Sequence, residues 1–100
     1  MNADRILIVE DEKLLRWALK ERLSREGFEI LEAESGEAAR PMFASESIDL
    51  VLLDYRLPDT TGIELLKEAL SLLPGAPVIL MTAYSTVETA VEAIRLGAFD

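Results

Sequence analysis

The stretch VLLDYRLPD, at positions 51–59, begins as an apolar run and continues through Asp54 into a proline-containing turn. Three apolar runs of this kind, rich in Ile, Val and Leu, occur at 6–9 (ILIV), 50–53 (LVLL) and 78–81 (VILM). They do not alternate with polar residues, a pattern typical of strands buried on both faces of a parallel sheet. We therefore expect three buried strands, one of which ends on a carboxylate.

Amphipathic helices are predicted between these strands. Apolar residues recur every three or four positions in one segment, at Leu14, Leu15, Ala18, Leu19 and Leu23, and in a later one, at Ile63, Leu66, Leu70 and Leu73. A last helix is expected over 86–96, before Gly97.

The segment between the first two apolar runs adds one strand and one helix. FEILEA, at 28–33, alternates as a strand does, and Ser35-Gly36-Glu37 begins a weaker helix. Pro41 should break or bend that helix, because proline has no backbone N–H. The predicted order is β-α-β-α-β-α-β-α. Such alternation indicates a flavodoxin-like, three-layer α/β/α fold with a parallel sheet, in which ligands bind outside the carboxyl ends of the strands.

Composition excludes several classes of function. The chain has 100 residues, half of them hydrophobic, which is enough for one domain with one core. It has no cysteine and no histidine, so disulfides, thiolate metal sites and zinc chemistry are not expected. A net charge of −9 repels phosphate backbones and anionic membranes. We expect a cytoplasmic domain that contacts neither nucleic acid nor membrane directly.

Polar side chains follow three of the predicted strands. Glu10 and Asp11 end the first strand, Asp54 the third and Thr82 the fourth, so all should meet at one edge of the sheet. Neighbouring carboxylates raise each other's pKa unless a cation lies among them. Oxygen ligands without His or Cys favour a hard ion, and two or three carboxylates with waters suit Mg²⁺. A metal ion there would bind oxygens of a phosphoryl group, and the Thr82 hydroxyl would form a hydrogen bond with one of those oxygens.

Each of these residues also has an ordinary structural interpretation. An Asp after a strand is often a turn or cap residue. The negative charges at 10–12 would interact favourably with the positive end of the next helix dipole. Thr82 alone would form a hydrogen bond between its hydroxyl and the nearby backbone. Trp17 is assigned to packing only. Only the convergence of the acidic residues and Thr82 at one sheet edge points specifically to a phosphoryl site.

Three segments together resemble the signature motifs of response-regulator receiver domains. They are ILIVEDE, VLLDYRLPDTTG and VILMTAY, and the resemblance runs from Asp4 onward, so that 1–100 is interpreted as one receiver domain. MTAYSTVETAVEAIRLGAFD further resembles receivers of the nitrogen-regulation type, which precede an ATPase module that activates the alternative sigma factor.

The resemblance implies a role for each site residue. Asp54 would be the phosphoacceptor, Thr82 the switch hydroxyl, and Ala83 the small residue beside the phosphoryl group. The implied Mg²⁺ ligands are Asp11, Asp54, Glu10 through water, and the backbone carbonyl of Arg56. The implied phosphoryl donor is a sensor histidine kinase, and the implied targets are output ATPase and DNA-binding domains of the full-length protein.

Two other functions stay open from the residues alone. One is a receiver-like interaction module that is not phosphorylated. The other is an aspartyl-phosphate hydrolase, which places a second Asp two residues after its nucleophile, where this chain has Arg56. We expect no turnover enzyme, only a domain that promotes its own phosphorylation and dephosphorylation.

The chain departs from the family pattern at two places. Glu10 stands where many receivers have Asp. Its side chain is longer, which changes the distance over which the carboxylate reaches the metal, but the negative charge is kept. Only eighteen residues follow Thr82, too few to include the family's lysine, fifth strand and fifth helix. We therefore expect a receiver domain truncated at its C-terminus, with an open sheet edge at the fourth strand and a tendency to form a homodimer.

Overall fold

Each predicted apolar run forms a strand of one parallel sheet in the computed structural model, which describes residues 4–54, 57, 59–60, 62–73 and 75–81. The elements in chain order are β1 (Arg5–Val9), α1 (Lys13–Arg25), β2 (Glu29–Ala33), α2 (Gly36–Ser45), β3 (Leu50–Asp54), α3 (Gly62–Leu72) and β4 (Val78–Met81). The strand order is β2-β1-β3-β4, with every pair parallel. The predicted alternation is confirmed as far as β4, and the predicted helix at 86–96 lies outside the described residues.

Helices cover both faces of the sheet, because side chains of a strand point alternately to its two sides. Ile6 and Ile8 of β1 pack with Leu19 and Leu23 of α1. On the opposite face, the next residues along β1 and β3 pack against α2 and α3 through Phe43, Ala39, Leu65 and Ala69. The central strands β1 and β3 are buried on both faces as expected, and the three-layer α/β/α architecture is confirmed.

The predicted apolar faces of two helices need correction. Leu14, assigned to the buried face of α1, is 76% exposed, whereas Leu19 and Leu23 are fully buried. In α3 the buried positions are Leu65 and Ala69, while Leu70 is exposed. The predicted Leu66 and Leu73 are partly buried against the same core, so the buried face of α3 is wider than predicted and, of the predicted positions whose burial is described, only Leu70 lies outside it.

Helix α2 runs without interruption through Pro41, so the expected break is wrong. Ser35 begins the helix by accepting a hydrogen bond from the Ala38 N–H at 3.0 Å. Proline removes one helical N–H, but Ala39 and Phe43 on the buried face anchor the helix on both sides of it. Tertiary packing therefore outweighs the local preference at this position.

The helical surface carries a few large exposed apolar side chains. Leu14 and Trp17 lie on α1, and Leu70 and Leu72 lie on α3. Trp17 is thus a surface residue. Among the described helices, none combines the length and the apolar character that crossing a membrane would require.

Candidate acidic site at the carboxyl edge of the sheet

The central strands bring the predicted acidic residues together. β1 and β3 are neighbours, and Val9 lies opposite Leu53, so the chain leaves both strands side by side. Carboxylate oxygens of Glu10, Asp11 and Asp54 all lie within 4.8 Å of one another. Glu10 is buried, Asp54 half-buried and Asp11 exposed, so the cluster runs from the sheet edge out to solvent. Sequence reasoning predicted this convergence.

Backbone contacts hold Glu10 firmly at the end of β1. Its N–H donates to the carbonyl of Ala33 at 3.0 Å, and its carbonyl accepts from Nη1 of Arg16 at 2.7 Å. Its carboxylate accepts the N–H of Glu12 at 3.2 Å. Glu12 is the N-cap of α1 and makes no side-chain cap bond, and the carboxylate of Glu10 is the group that accepts the N–H of this N-cap residue.

Arg16 connects this strand end to β2. Its Nε lies 3.3 Å from Glu32, which also pairs with Lys20 at 3.2 Å, and the Arg16 side chain is only 15% exposed. Sequence reasoning missed Arg16, because nothing in the local pattern distinguishes an arginine that turns back to the preceding strand from one that points to solvent.

Burial makes ionisation of Glu10 unfavourable. Glu10 is 3% exposed, and this desolvation, reinforced by a hydrogen bond and charge repulsion from Asp54, raises its pKa from 4.5 to about 8. The hydrogen bond from the Glu12 N–H acts in the opposite direction. Glu10 therefore holds its proton at neutral pH unless a positive charge compensates the cluster.

The cluster fits a small divalent cation. All of its donors are carboxylate oxygens, the hard ligands that Mg²⁺ prefers. One oxygen from each of the three carboxylates lies within 4.8 Å of the other two, so the three residues would be able to hold one cation between them. Burial and the neighbouring Asp54 raise the pKa of Glu10, so a positive charge among these carboxylates would favour their ionised form.

A second contact at this edge joins the segment after Asp54 to helix α2. Asp59 accepts hydrogen bonds from the N–H of Gly36 at 2.9 Å and from that of Glu37 at 2.7 Å. Sequence reasoning placed Asp59 only in a turn. Its partners lie more than twenty residues away in the chain, so no local signal could have found them.

The family model for the response regulator receiver domain matches residues 6–100 of the chain. This chain belongs to that family. The receiver domain is 50% identical over 97 residues to the regulatory protein AtoC of Escherichia coli K12, covering 97% of this chain and 21% of AtoC. The chain thus spans about a fifth of the length of this curated relative.

Solved structures of other receivers have the same fold. One, a CheY-like receiver domain protein from Methanospirillum hungatei, has a TM-score of 0.80 at 35% identity, over 97% of this chain and 78% of that one. The response regulator TrrA of Thermotoga maritima, solved in complex with Mg²⁺-BeF, has a TM-score of 0.77 at 42% identity, over 91% of this chain and 79% of TrrA. TrrA was also solved in complex with the histidine kinase ThkA, at 46% identity over 82% of this chain and 71% of that one, with a TM-score of 0.76.

The remaining predicted residues of the receiver site are Arg56, Thr82 and Ala83, which lie outside the described residues. Met81 ends β4 and is the register partner of Asp54. The roles of these three residues stay predictions.

Proposed function

We propose that this receiver domain accepts a phosphoryl group on Asp54 in a Mg²⁺-dependent reaction and thereby switches an output. The observation that carries the proposal is the meeting of Glu10, Asp11 and Asp54 at the carboxyl edge of the sheet. Asp54 is the member of the cluster that ends the central strand β3, so its backbone is held by the sheet. Its side chain is only half-buried, so a phosphoryl donor would be able to approach it.

The reaction is a direct displacement at phosphorus. An Asp54 carboxylate oxygen forms the new O–P bond while the N–P bond of a phosphohistidine breaks, and the bonding electrons return to the imidazole nitrogen. The chain's contribution is to position the ionised carboxylate, which needs no separate base. This makes the domain a phosphoacceptor and not a turnover enzyme.

Glu10, Asp11 and Asp54, together with the carbonyl of Arg56, would hold the cation. When bound, Mg²⁺ neutralises the phosphoryl oxygens and the acidic cluster at the same time. Glu10 contributes by holding or releasing a proton at its carboxylate, because its pKa is raised in the absence of positive charge.

The donor and the output follow from the family. A sensor histidine kinase is the proposed donor, in keeping with the solved complex of TrrA with ThkA. The proposed output is transcription activation through ATPase and DNA-binding domains of a longer cytoplasmic protein, since AtoC is named a regulatory protein. Thr82 would move inward toward the phosphoryl group, with Ala83 leaving room for it, and the helix predicted at 86–96 would shift and present a dimerisation surface.

Phosphorylation by acetyl phosphate tests the proposal without knowledge of the kinase. The chain and two variants, Asp54→Asn and Asp49→Asn, are incubated with acetyl phosphate with and without Mg²⁺, and intact mass is measured. Asp49 is the matched control, because it precedes β3 at the opposite edge of the sheet and accepts the N–H of Arg5 at 2.7 Å.

We expect the mass of one phosphoryl group on the parent chain and on Asp49→Asn, only with Mg²⁺, and none on Asp54→Asn. Addition that persists in Asp54→Asn would show that the acceptor is another residue. No addition to a parent chain that circular dichroism shows to be folded would favour the alternative of a receiver-like interaction module.

A further inference from the structure

Arg16 of helix α1 turns back to the end of strand β1. Its Nη1 donates to the carbonyl oxygen of Glu10 at 2.7 Å, a short distance that is typical of a charged donor. The N–H of Glu10 donates to the carbonyl of Ala33 at the end of β2, at 3.0 Å. Glu10 is therefore held on both sides of its Cα atom, by the sheet through its N–H and by Arg16 through its carbonyl.

The guanidinium of Arg16 is itself held in place. Its Nε donates to Oε1 of Glu32 on β2 at 3.3 Å, and Nζ of Lys20 lies 3.2 Å from Oε2 of the same carboxylate. The Arg16 side chain is mostly buried, whereas the Lys20 side chain is about half exposed. Two nitrogens of one rigid, planar group are thus bonded to two different partners, which fixes the orientation of the Arg16 guanidinium.

The carbonyl that Arg16 bonds belongs to the peptide unit between Glu10 and Asp11. Strand β1 ends at Val9, so this peptide unit lies beyond the last residue of the strand. Because a peptide unit is planar, the carbonyl oxygen of Glu10, the nitrogen of Asp11 and the Cα atoms of both residues move together. A bond that fixes this oxygen therefore also fixes the point from which the Asp11 side chain extends. Glu10 and Asp11 supply two of the three carboxylates of the acidic cluster.

The charge of Arg16 and its hydrogen bond to Glu10 have opposite effects on a bound cation. A positive charge near the acidic cluster repels the cation, whereas a group that orients the carboxylates favours binding. The repulsion is partly offset, because Glu32 pairs with the guanidinium. The direction in which Mg²⁺ affinity changes when Arg16 is replaced therefore distinguishes the two effects.

We propose that Arg16 is a positioning residue of the acidic site: its hydrogen bond to the Glu10 carbonyl sets the orientation of the peptide unit that carries Glu10 and Asp11 toward a bound cation. This inference rests on the proposed function. Without the bond, the peptide unit rotates more freely about the single bonds on either side of it, and ordering it on binding costs entropy. The cation then binds more weakly, even though one positive charge has been removed from its surroundings.

Titration calorimetry of the 100-residue chain with Mg²⁺ alone tests the inference. Arg16→Met keeps an unbranched apolar stem but removes both hydrogen bonds, and it should raise the Kd for Mg²⁺ about tenfold, the size of effect found for groups that orient metal ligands. Arg16→Lys keeps the charge but lacks the planar fork, and it should raise the Kd by a smaller factor. If Arg16 acted through its charge alone, Arg16→Met would bind Mg²⁺ more tightly and Arg16→Lys would bind as the parent does.

Two control variants separate the positioning role from charge and from stability. Lys20→Met removes a positive charge that pairs with the same Glu32 one turn further along α1, and it should bind Mg²⁺ as tightly as the parent or slightly more tightly. Ile6→Val deletes one methylene from the core at the other end of β1, so it lowers the free energy of unfolding away from the acidic cluster and should leave the Kd unchanged. Urea unfolding measures the stability of each variant.

Each outcome supports or overturns one level of the proposal. A folded parent that does not bind Mg²⁺ would overturn the proposed function and this inference with it. If the parent binds and Arg16→Met binds as well or better, the function stands and the inference is wrong. Equal weakening in Lys20→Met would assign the effect to the shared partner Glu32, and equal weakening in Ile6→Val would assign it to stability, so either result contradicts the positioning role. If Arg16→Met does not fold, Arg16→Lys decides: a raised Kd supports the inference and an unchanged Kd rejects it.

Discussion

The buried carboxyl group of Glu10 should make the stability of the metal-free domain depend on pH. Its pKa is about 8 in the folded chain and 4.5 when unperturbed. The folded state therefore binds a proton more tightly than the unfolded state between these values. The stabilisation that this proton provides is fully present below pH 4.5, the pKa of Glu10 in the unfolded chain. It is lost as pH rises through about 8, the pKa of Glu10 in the folded chain.

The size of the effect follows from the two pKa values. A tenfold difference in proton affinity is equivalent to about 1.4 kcal/mol, so raising the pH from about 5 to about 7.5 should destabilise the domain by about 3 kcal/mol through Glu10 alone. For a chain of this size, such a loss lowers Tm by about 15 °C. Glu10→Gln keeps the shape and a hydrogen-bond donor toward Asp54 but cannot ionise, so this part of the pH dependence should vanish.

Thermal unfolding of the parent and Glu10→Gln across this pH range, with EDTA present, measures the effect. The two Tm values should be similar at low pH and diverge as pH rises, with the variant more stable. Glu34→Gln, which neutralises an exposed glutamate just after β2, is the control for a change of one unit in net charge and should follow the parent. Saturating Mg²⁺ should stabilise the parent most at high pH and Glu10→Gln much less.

A difference in Tm between parent and Glu10→Gln that stays constant from low to high pH would contradict a raised pKa for Glu10. It would mean that Glu10 is ionised in the folded chain without a counter-charge, contrary to its burial beside Asp54. Glu10→Gln should gain stability and lose Mg²⁺ affinity together, because the negative charge of Glu10 favours a bound cation and is unfavourable when no cation is bound.

Three further substitutions test individual contacts and backbone positions of the fold. Pro41→Ala should raise the free energy of unfolding by about 1 to 2 kcal/mol in urea titrations, because alanine restores a helical N–H inside α2; no gain would show that the Pro41 ring contributes compensating contacts. Arg16→Met should lower the free energy of unfolding by about 2 kcal/mol, because the carbonyl of Glu10 loses its charged hydrogen-bond donor. Lys20→Met removes only the more exposed pairing with Glu32 and should cost at most about 0.5 kcal/mol, and an equal loss in both variants would contradict the role given to Arg16.

Local pattern and strand topology were sufficient for the architecture. Continuous runs of Ile, Val and Leu predict strands buried on both faces, and alternation with helices predicts a parallel sheet whose strand ends share one edge. The convergence of Glu10, Asp11 and Asp54 followed from that topology, because each residue stands at the end of a predicted strand. These features depend on residues close together in the chain and on the handedness of crossovers.

Other features depended on contacts that the order of residues does not encode locally. Packing against the sheet buries Leu65 and Ala69 of α3 in addition to the predicted Leu66 and Leu73, and α2 stays intact through Pro41. Periodicity does not fix how far a buried face extends around a leucine-rich helix, and helix propensity is weak beside tertiary burial.

The class of fold and the identity of the acidic residues are readable from the order of amino acids, since both follow from short-range pattern and from which residues end the strands. The depth at which Glu10 is buried, the contact of Arg16 with its carbonyl, and the hydrogen bonds of Asp59 to the start of helix α2 are visible only in the folded chain. Burial, pKa and long-range hydrogen bonds arise from groups that folding brings together, whatever their separation in sequence.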